Sequence, residues 1–288
     1  EAPGASLVIQ KKDWATTLRL AAKRCGEGLL WFDESSLTLD RVKLLRKHGL
    51  RLTGGKDPVA PLREVKDKIE LGAIRLAIRR AEESFLRLKK MIRPGMTERE
   101  IALRLEYLIR EKGSRRVAFD IIVASGRNGA MPHASVTGRR IKRGDLVTID
   151  FGAEAHGYLC DITRTFCIGP PTARQRAVHA LVLEAQQAAI ERVLPGAECR
   201  ALDFAARETI THAGYGKEFG HATGHGIGLM VHEGPSLSAL SRDRAAEGMI
   251  FTIEPGVYLP GWGGVRIEDM VVVTKRGAKL LTSLSKEL

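Results

Sequence analysis

Three histidines, His221, His225 and His232, stand within twelve residues of the stretch FGHATGHGIGLMVHEGP, although the 288-residue chain holds only eight. Four acids occur where strand sequence is otherwise apolar: Asp150 in LVTIDFG, Asp161 in LCDITRTF, Glu254 in IFTIEPG and Glu268 in VRIEDMVVV. Burying an unpaired carboxylate is costly, so four converging on a sheet interior demand counter-charge, from arginines or from metal. Taken singly, each acid reads best as half of a strand-edge salt bridge, and His225 as an ordinary core or loop histidine. Taken together, four hard oxygen donors and one imidazole suit two divalent ions that share bridging carboxylates. That donor set favours Mn²⁺, Co²⁺, Fe²⁺ or Zn²⁺ over a thiolate-bound structural zinc. Four negative charges also balance two dications, and the glycines around His225 in TGHGIG leave room for close backbone approach.

The elements that must position these groups follow from periodicity. In a strand, Asp161, Thr163 and Thr165 share one face while Ile162, Arg164 and Phe166 take the other. Asp150 belongs to the partner strand of the same hairpin, and Glu254 and Glu268 are related in the same way further on. A repeat explains the symmetry. IRPGMTEREIALRLEYLIREKGS from 92 matches VLPGAECRALDFAARETITHAGY from 193 at an offset of 101, aligning Pro94 with Pro195, Gly95 with Gly196, Ile101 with Leu202, Ile109 with Ile210 and Gly113 with Gly214. Each copy follows a helical stretch, opens on a Pro-Gly turn, runs as a second helix and leads into strand sequence. The prediction is an α+β fold of two similar halves, with helices over one face of a largely antiparallel sheet and a site at the join. The helix in REVKDKIELGAIRLAIRRAEESFLRLKKMI is expected to turn Ile69, Ala73, Leu76, Ala77, Ala81 and Phe85 inward.

Residues 1–60 read differently, as a short α/β N-terminal domain with helices around KDWATTLRLAAKRCG and LDRVKLLRKHG and strands at GLLWF and LRLTGG. GGKDPVAPLR reads as a linker, leaving 61–288 as the main domain. The chain opens on Glu1, so truncation upstream stays open.

Composition closes off other classes. No apolar run approaches the roughly 20 residues that span a bilayer. Cys25, Cys160, Cys167 and Cys199 lack paired CxxC spacing, which points to a reduced, cytoplasmic setting. The net charge of +12 invites a nucleic-acid reading, but residues 1–116 carry 27 Lys+Arg against 16 Asp+Glu, while the rest carry 19 against 18. Much of that excess falls on the amphipathic helix, where a solvated face is the simpler account, so nucleic acid is not the expected partner.

The ordered set of aspartates eleven apart in DFGAEAHGYLCD, then GHGIG, EPG and RIED, resembles the pita-bread metallopeptidases (M24) over residues 62–288. That family includes proline dipeptidase, aminopeptidase P and methionine aminopeptidase. The resemblance implies a pita-bread fold with internal pseudo-twofold duplication and a two-metal centre, manganese first among the candidates. Its ligands would be Asp150, Asp161, His225, Glu254 and Glu268. Other residues resemble the proline-specific branch: His221 near the prolyl side of the substrate, His133 in NGAMPHAS and His232 in VHEGP near the scissile group, with Tyr258 and Arg266 as substrate-side residues. By the same resemblance Glu254 acts as general base toward a water of lowered pKa, His232 hydrogen-bonds the developing gem-diolate, and the substrate is a proline-containing di- or oligopeptide. A homodimer is the common assembly in the family.

The N-terminal segment is shorter than is usual in that branch, which leaves dipeptidase and aminopeptidase P activity both open. A methionine aminopeptidase-like enzyme is the nearest rival, disfavoured by His221, Arg266 and the extra N-terminal residues. A non-catalytic pita-bread binding protein is disfavoured because such relatives lose part of the ligand set. Creatinase-like C–N hydrolysis is disfavoured because it proceeds without the metal cluster.

Overall fold

In the computed structural model, residues 8–10, 13–26 and 28–288 are described. By its internal contacts the chain divides into two units, Glu1–Ala60 and Pro61–Leu288. In the smaller, α1 (Trp14–Arg24), β1 (Leu29–Asp33), α2 (Leu39–Lys47) and β2 (Arg51–Gly55) follow one another, with β1 and β2 paired in parallel. Ala15, Ala22, Leu45 and Leu50 form its core. A short helix, α3 (Ala60–Glu64), falls where the linker is expected.

The larger unit repeats one plan. Its first half runs α4 (Lys68–Lys89), α5 (Glu98–Glu111), β3 (Ile122–Ser125), β4 (Leu146–Phe151), β5 (Glu154–Ala155), β6 (Tyr158–Leu159) and β7 (Ile162–Cys167). The second runs α6 (Ala173–Glu191), α7 (Cys199–His212), β8 (Gly224–Gly226), β9 (Glu233–Leu237), β10 (Ile250–Ile253), β11 (Gly256–Leu259), β12 (Gly263–Arg266), β13 (Asp269–Thr274) and β14 (Gly277–Leu280). All strand pairs in this unit are antiparallel, in the orders β3-β4-β7 and β14-β13-β10-β8-β9. In each half a small hairpin, β5-β6 or β11-β12, interrupts the central strand pair. These hairpins, two or four residues to a strand, are too short for their periodicity to stand out in the sequence.

Each helix pair is built from the same signals. Capping boxes start α4 (Asp67 with Glu70), α5 (Thr97 with Glu100) and α6 (Thr172 with Gln175). Gly95 and Gly196, in the turns before α5 and α7, have φ of 95° and 86°. Gly95 N–H donates to Ile141 O, as Gly196 N–H does to Ala245 O, and the bridge Thr97 to Arg140 is matched by Glu198 to Arg244. The repeat seen in sequence is therefore a repeat in space, tying each second helix to the strand region of its own half. Ile101, Ile109, Leu202 and Ile210 are all fully buried.

Under α4 and α5, Phe85 stacks on Phe151 at 5.0 Å between ring centroids in the first core; a second core lies under α6 and α7. The inward stripe of α4 needs one correction. Ile69 is 84% exposed, whereas Ile74 and Ile78 are buried with Ala73, Ala77, Ala81 and Phe85. Ile69 lies to one side of the buried face, whereas its neighbours in the same turn engage the first half: Glu70 accepts from Tyr158 O–H on β6 and Leu71 packs on the core. Leu76 is partly buried against the same core.

Candidate metal centre and substrate cavity

Strand register places the four acids. Asp150 pairs with Thr163 across β4 and β7, so Asp161, two residues before Thr163, lies diagonally from Asp150 on the same face. Ile253 pairs with Asp269 across β10 and β13, and Glu254 follows the one as Glu268 precedes the other, just beyond that last pair. The halves meet through β7 and the segment that precedes β13. Glu268 N–H donates to Thr163 O, Thr163 Oγ1 donates to Glu268 Oε2 at 2.7 Å, and Thr165 Oγ1 donates to Arg266 O at 2.9 Å. Four carboxylates thus face one another across the seam of the repeat.

The imidazole comes from β8, held between β10 and β9. A Cβ on Gly224 would lie 2.0 Å from Thr252 O, and one on Gly226 would lie 1.9 Å from Gly234 O. Only glycine on either side of His225 lets its strand fit. His225 Nδ1–H donates to Gly226 O at 3.1 Å, which turns Nε2 toward Glu254 Oε1 (3.3 Å) and Asp161 Oδ2 (3.6 Å). That tautomer leaves Nε2 as the ligand atom whenever the ring is neutral.

Electrostatics show what this seam requires. Burial, followed by the charges of Glu268, Asp150 and Glu254, pushes Asp161 well above the ordinary carboxylate range. Burial and the charges of Glu254 and Asp150 do the same to Glu268. Burial acts on Glu254 too, but the hydrogen bond and charge of His225 outweigh it and bring that carboxyl to about 2. Asp150 Oδ1, Asp161 Oδ1 and Glu268 Oε1 are buried with no hydrogen-bond partner. Donor atoms of Asp161, His225 and Glu268 lie within 4.8 Å of one another. Carboxylate oxygens without donors, gathered around an imidazole nitrogen, fit divalent cations.

Above this floor is a cavity of ≈ 380 Å³, lined by Asp150, Asp161, His225, Glu254, Arg266, His133, His221 and His232, with Phe119, Ile122, Pro132 and Val231 as apolar wall. Glu268 lies beneath, and Tyr258 stands behind His221. The sequence reading missed the apolar wall. Ile122 is paired with Asp150 in register, the one signal that could have found it.

The three expected substrate-side residues, Arg266, Tyr258 and His221, are already engaged by the protein. Arg266 is 3% exposed and uses four of its five N–H groups: on Thr163 Oγ1 (3.1 Å), Pro132 O (3.1 Å), Tyr258 Oη (2.9 Å) and Asp150 Oδ2 (2.7 Å). His221 donates from Nδ1 to Ala222 O at 2.7 Å and accepts from Tyr258 O–H at Nε2, 2.9 Å away. Burial first, then the charge of Arg266, lowers the pKa of His221 and favours this neutral form. Burial and the charge of His225 also lower that of His232, whose ring lies 4.3 Å from the His225 ring between centroids.

The metallopeptidase family M24 model matches residues 72–275. An Xaa-Pro dipeptidase of Pyrococcus furiosus is 45% identical over 232 residues, 81% of this chain and 67% of that protein. Among solved structures, an Xaa-Pro dipeptidase from Bacillus anthracis superposes with a TM-score of 0.94 at 38% identity, over 97% of this chain and 79% of that one. An X-Pro aminopeptidase from Thermotoga maritima gives a TM-score of 0.90 at 39% identity, over 97% and 81%. With the duplicated pita-bread fold and a donor set suited to divalent ions at its seam, the chain belongs to metallopeptidase family M24.

Proposed function

We propose that this protein hydrolyses the peptide bond that precedes proline, using two divalent ions held by Asp150, Asp161, His225, Glu254 and Glu268. One observation carries the reading: three buried carboxylate oxygens, on Asp150, Asp161 and Glu268, have no donor, and they lie at the floor of a cavity walled by three histidines. When bound, the ions supply a water acidic enough to attack near neutral pH and an electrophile for the carbonyl.

The chain's own residues do the rest. Glu254, whose carboxylate lines the cavity beside His225 Nε2, accepts the water proton as general base. His232, on the open side of the cavity, donates toward the oxygen on which charge develops. His133, on the other wall, contacts the peptide near the scissile bond. Arg266, Tyr258 and His221 form a hydrogen-bonded chain running from Asp150 to the prolyl side. Because their donors are largely committed to one another, they shape that wall and hold Asp150 more than they bind substrate directly. Phe119, Ile122, Pro132 and Val231 keep water from the peptide.

The reading includes manganese as the ion, residues 61–288 as the catalytic domain with 1–60 as a separate N-terminal domain, a homodimer, and a cytoplasmic setting. Four cysteines without disulfides accord with a reducing compartment. No helix among the described residues is long and apolar enough to cross a membrane.

Chelator-stripped protein reloaded with Mn²⁺ is expected to cleave Ala-Pro or Ala-Pro-Ala and to leave Met-Ala-Ser intact. Cleavage of Met-Ala-Ser alone would overturn proline specificity. Which proline peptide is cut separates dipeptidase from aminopeptidase.

A further inference from the structure

Outside the seam, one carboxylate is more completely enclosed than any function so far requires. Glu98, in the first turn of α5, is 0% exposed. Its oxygens accept from Ser125 N–H (2.8 Å), Ser125 Oγ (2.7 Å), Asn128 Nδ2 (3.1 and 3.2 Å), Thr137 N–H (3.1 Å) and Thr137 Oγ1. These donors belong to a single excursion of the chain, from the end of β3 to Thr137, and they hold its two ends and its first turn. Pro132 and His133 lie at its middle. The excursion is pressed against the second half of the fold: a Cβ on Gly264 would lie 2.1 Å from Gly129 O, and Pro132 O accepts from Arg266.

The second half has a counterpart. Asp203 on α7, 1% exposed, accepts from Thr223 N–H (3.1 Å), Thr223 Oγ1 (2.8 Å) and Arg207 (2.9 and 3.0 Å). Arg207 in turn donates to Phe219 O and His221 O at 2.8 and 2.9 Å. The segment so held carries His221. A buried carboxylate that is hydrogen-bonded to a neighbouring loop, directly as at Glu98 or partly through Arg207 as at Asp203, ties that loop to one arrangement, because any displacement leaves its oxygens without partners in a medium that does not solvate them.

We propose that Glu98 and Asp203 are positioning residues, one for each half: Glu98 sets His133 in the cavity, and Asp203 with Arg207 sets His221. The inference rests on the reading that these two histidines face the peptide. Small misplacements of such groups are costly, on the order of 10²-fold for about 1 Å.

The test is a pair of double-mutant cycles on the manganese-loaded full chain, read as kcat/KM on the proline peptide it cleaves, with bound manganese measured alongside. Glu98→Gln turns amide hydrogens against donors and is expected to lower kcat/KM by about 10- to 10²-fold, with bound metal unchanged. If Glu98 acts through His133, the same substitution costs little more in a His133→Ala background, yet keeps its full cost in a His221→Ala background. Asp203→Asn should show the reverse pattern. Asn128→Ala, a milder change on the loop side, serves in the same cycle if Glu98→Gln does not fold. Full additivity of Glu98→Gln or Asn128→Ala with His133→Ala would overturn the proposal and mark Glu98 as structural only. Unimpaired His133→Ala and His221→Ala enzymes would instead remove the functional reading on which it rests.

Discussion

The two halves of the larger unit share a scaffold and differ in what they bring to the seam. Both run helix, helix, strand, hairpin-interrupted strand pair. The first contributes two aspartates set diagonally on β4 and beside β7; the second contributes two glutamates that flank the last residue pair of β10 and β13. Only the second adds an imidazole. Ala124 pairs with Thr148 across β3 and β4; the matching position on β8, facing Thr252 on β10, is His225. The shared scaffold therefore gives both halves an acid pair, and at the matching positions Ala124 and His225 only the second half carries a nitrogen ligand. The loop staples differ in the same way. Glu98 is satisfied by uncharged donors, Asp203 by an arginine and a threonine.

Removing the acid that the second half is proposed to use as base gives the largest expected effect. Glu254→Gln should lower kcat by about 10³-fold and stay low at saturating Mn²⁺. Its counterpart Asp150→Asn should weaken metal retention first and recover in part when Mn²⁺ is added in excess. Equal behaviour of the two would dissolve the proposed division of labour.

Equivalent core positions sharpen the comparison from the opposite side. Ile101→Ala and Leu202→Ala, in corresponding places on α5 and α7, should each cost about 2–5 kcal/mol in denaturant unfolding. A negligible cost at either would break the equivalence of the helices. His232→Ala should lower kcat by about 10²-fold with a far smaller change in stability. A near-normal kcat would take His232 out of the chemistry.

Acid should find the halves unequal. Glu154, on the first half's hairpin, is raised by burial, but Arg115 and the N–H groups of Gly157 and Arg115 outweigh that and bring it from 4.5 to about 2. A depressed carboxyl stabilises the fold fully above 4.5, and that contribution is lost as pH falls from 4.5 toward 2. Melting curves of Glu154→Gln should accordingly show a weaker pH dependence in that window than the parent. Because Arg115 is exposed, the difference should shrink in high salt.

These contrasts also mark what was legible beforehand. The acids near the seam stood out because strand sequence around them is apolar and alternates with a period of two. The repeated helices stood out because Pro-Gly turns and apolar spacing survive at a constant offset. Glu98 and Asp203 did not. An acid in a helix's first turn normally serves the helix dipole in solvent, and Asp203 with Arg207 at i,i+4 looks like an exposed ion pair. Their burial comes from loops that close over them, a tertiary effect with no local period. Ile69 misled differently: its spacing from Ala73 fits an inward stripe, but the buried face runs through Ile74, Ile78, Ala81 and Phe85, to one side of it.

The account's most direct test is an anomalous-difference map, at the manganese edge, of crystals grown with Mn²⁺. The expected result is a pair of neighbouring peaks enclosed by Asp150, Asp161, His225, Glu254 and Glu268. A map without density there, with those side chains turned onto arginines or away from one another, would contradict it.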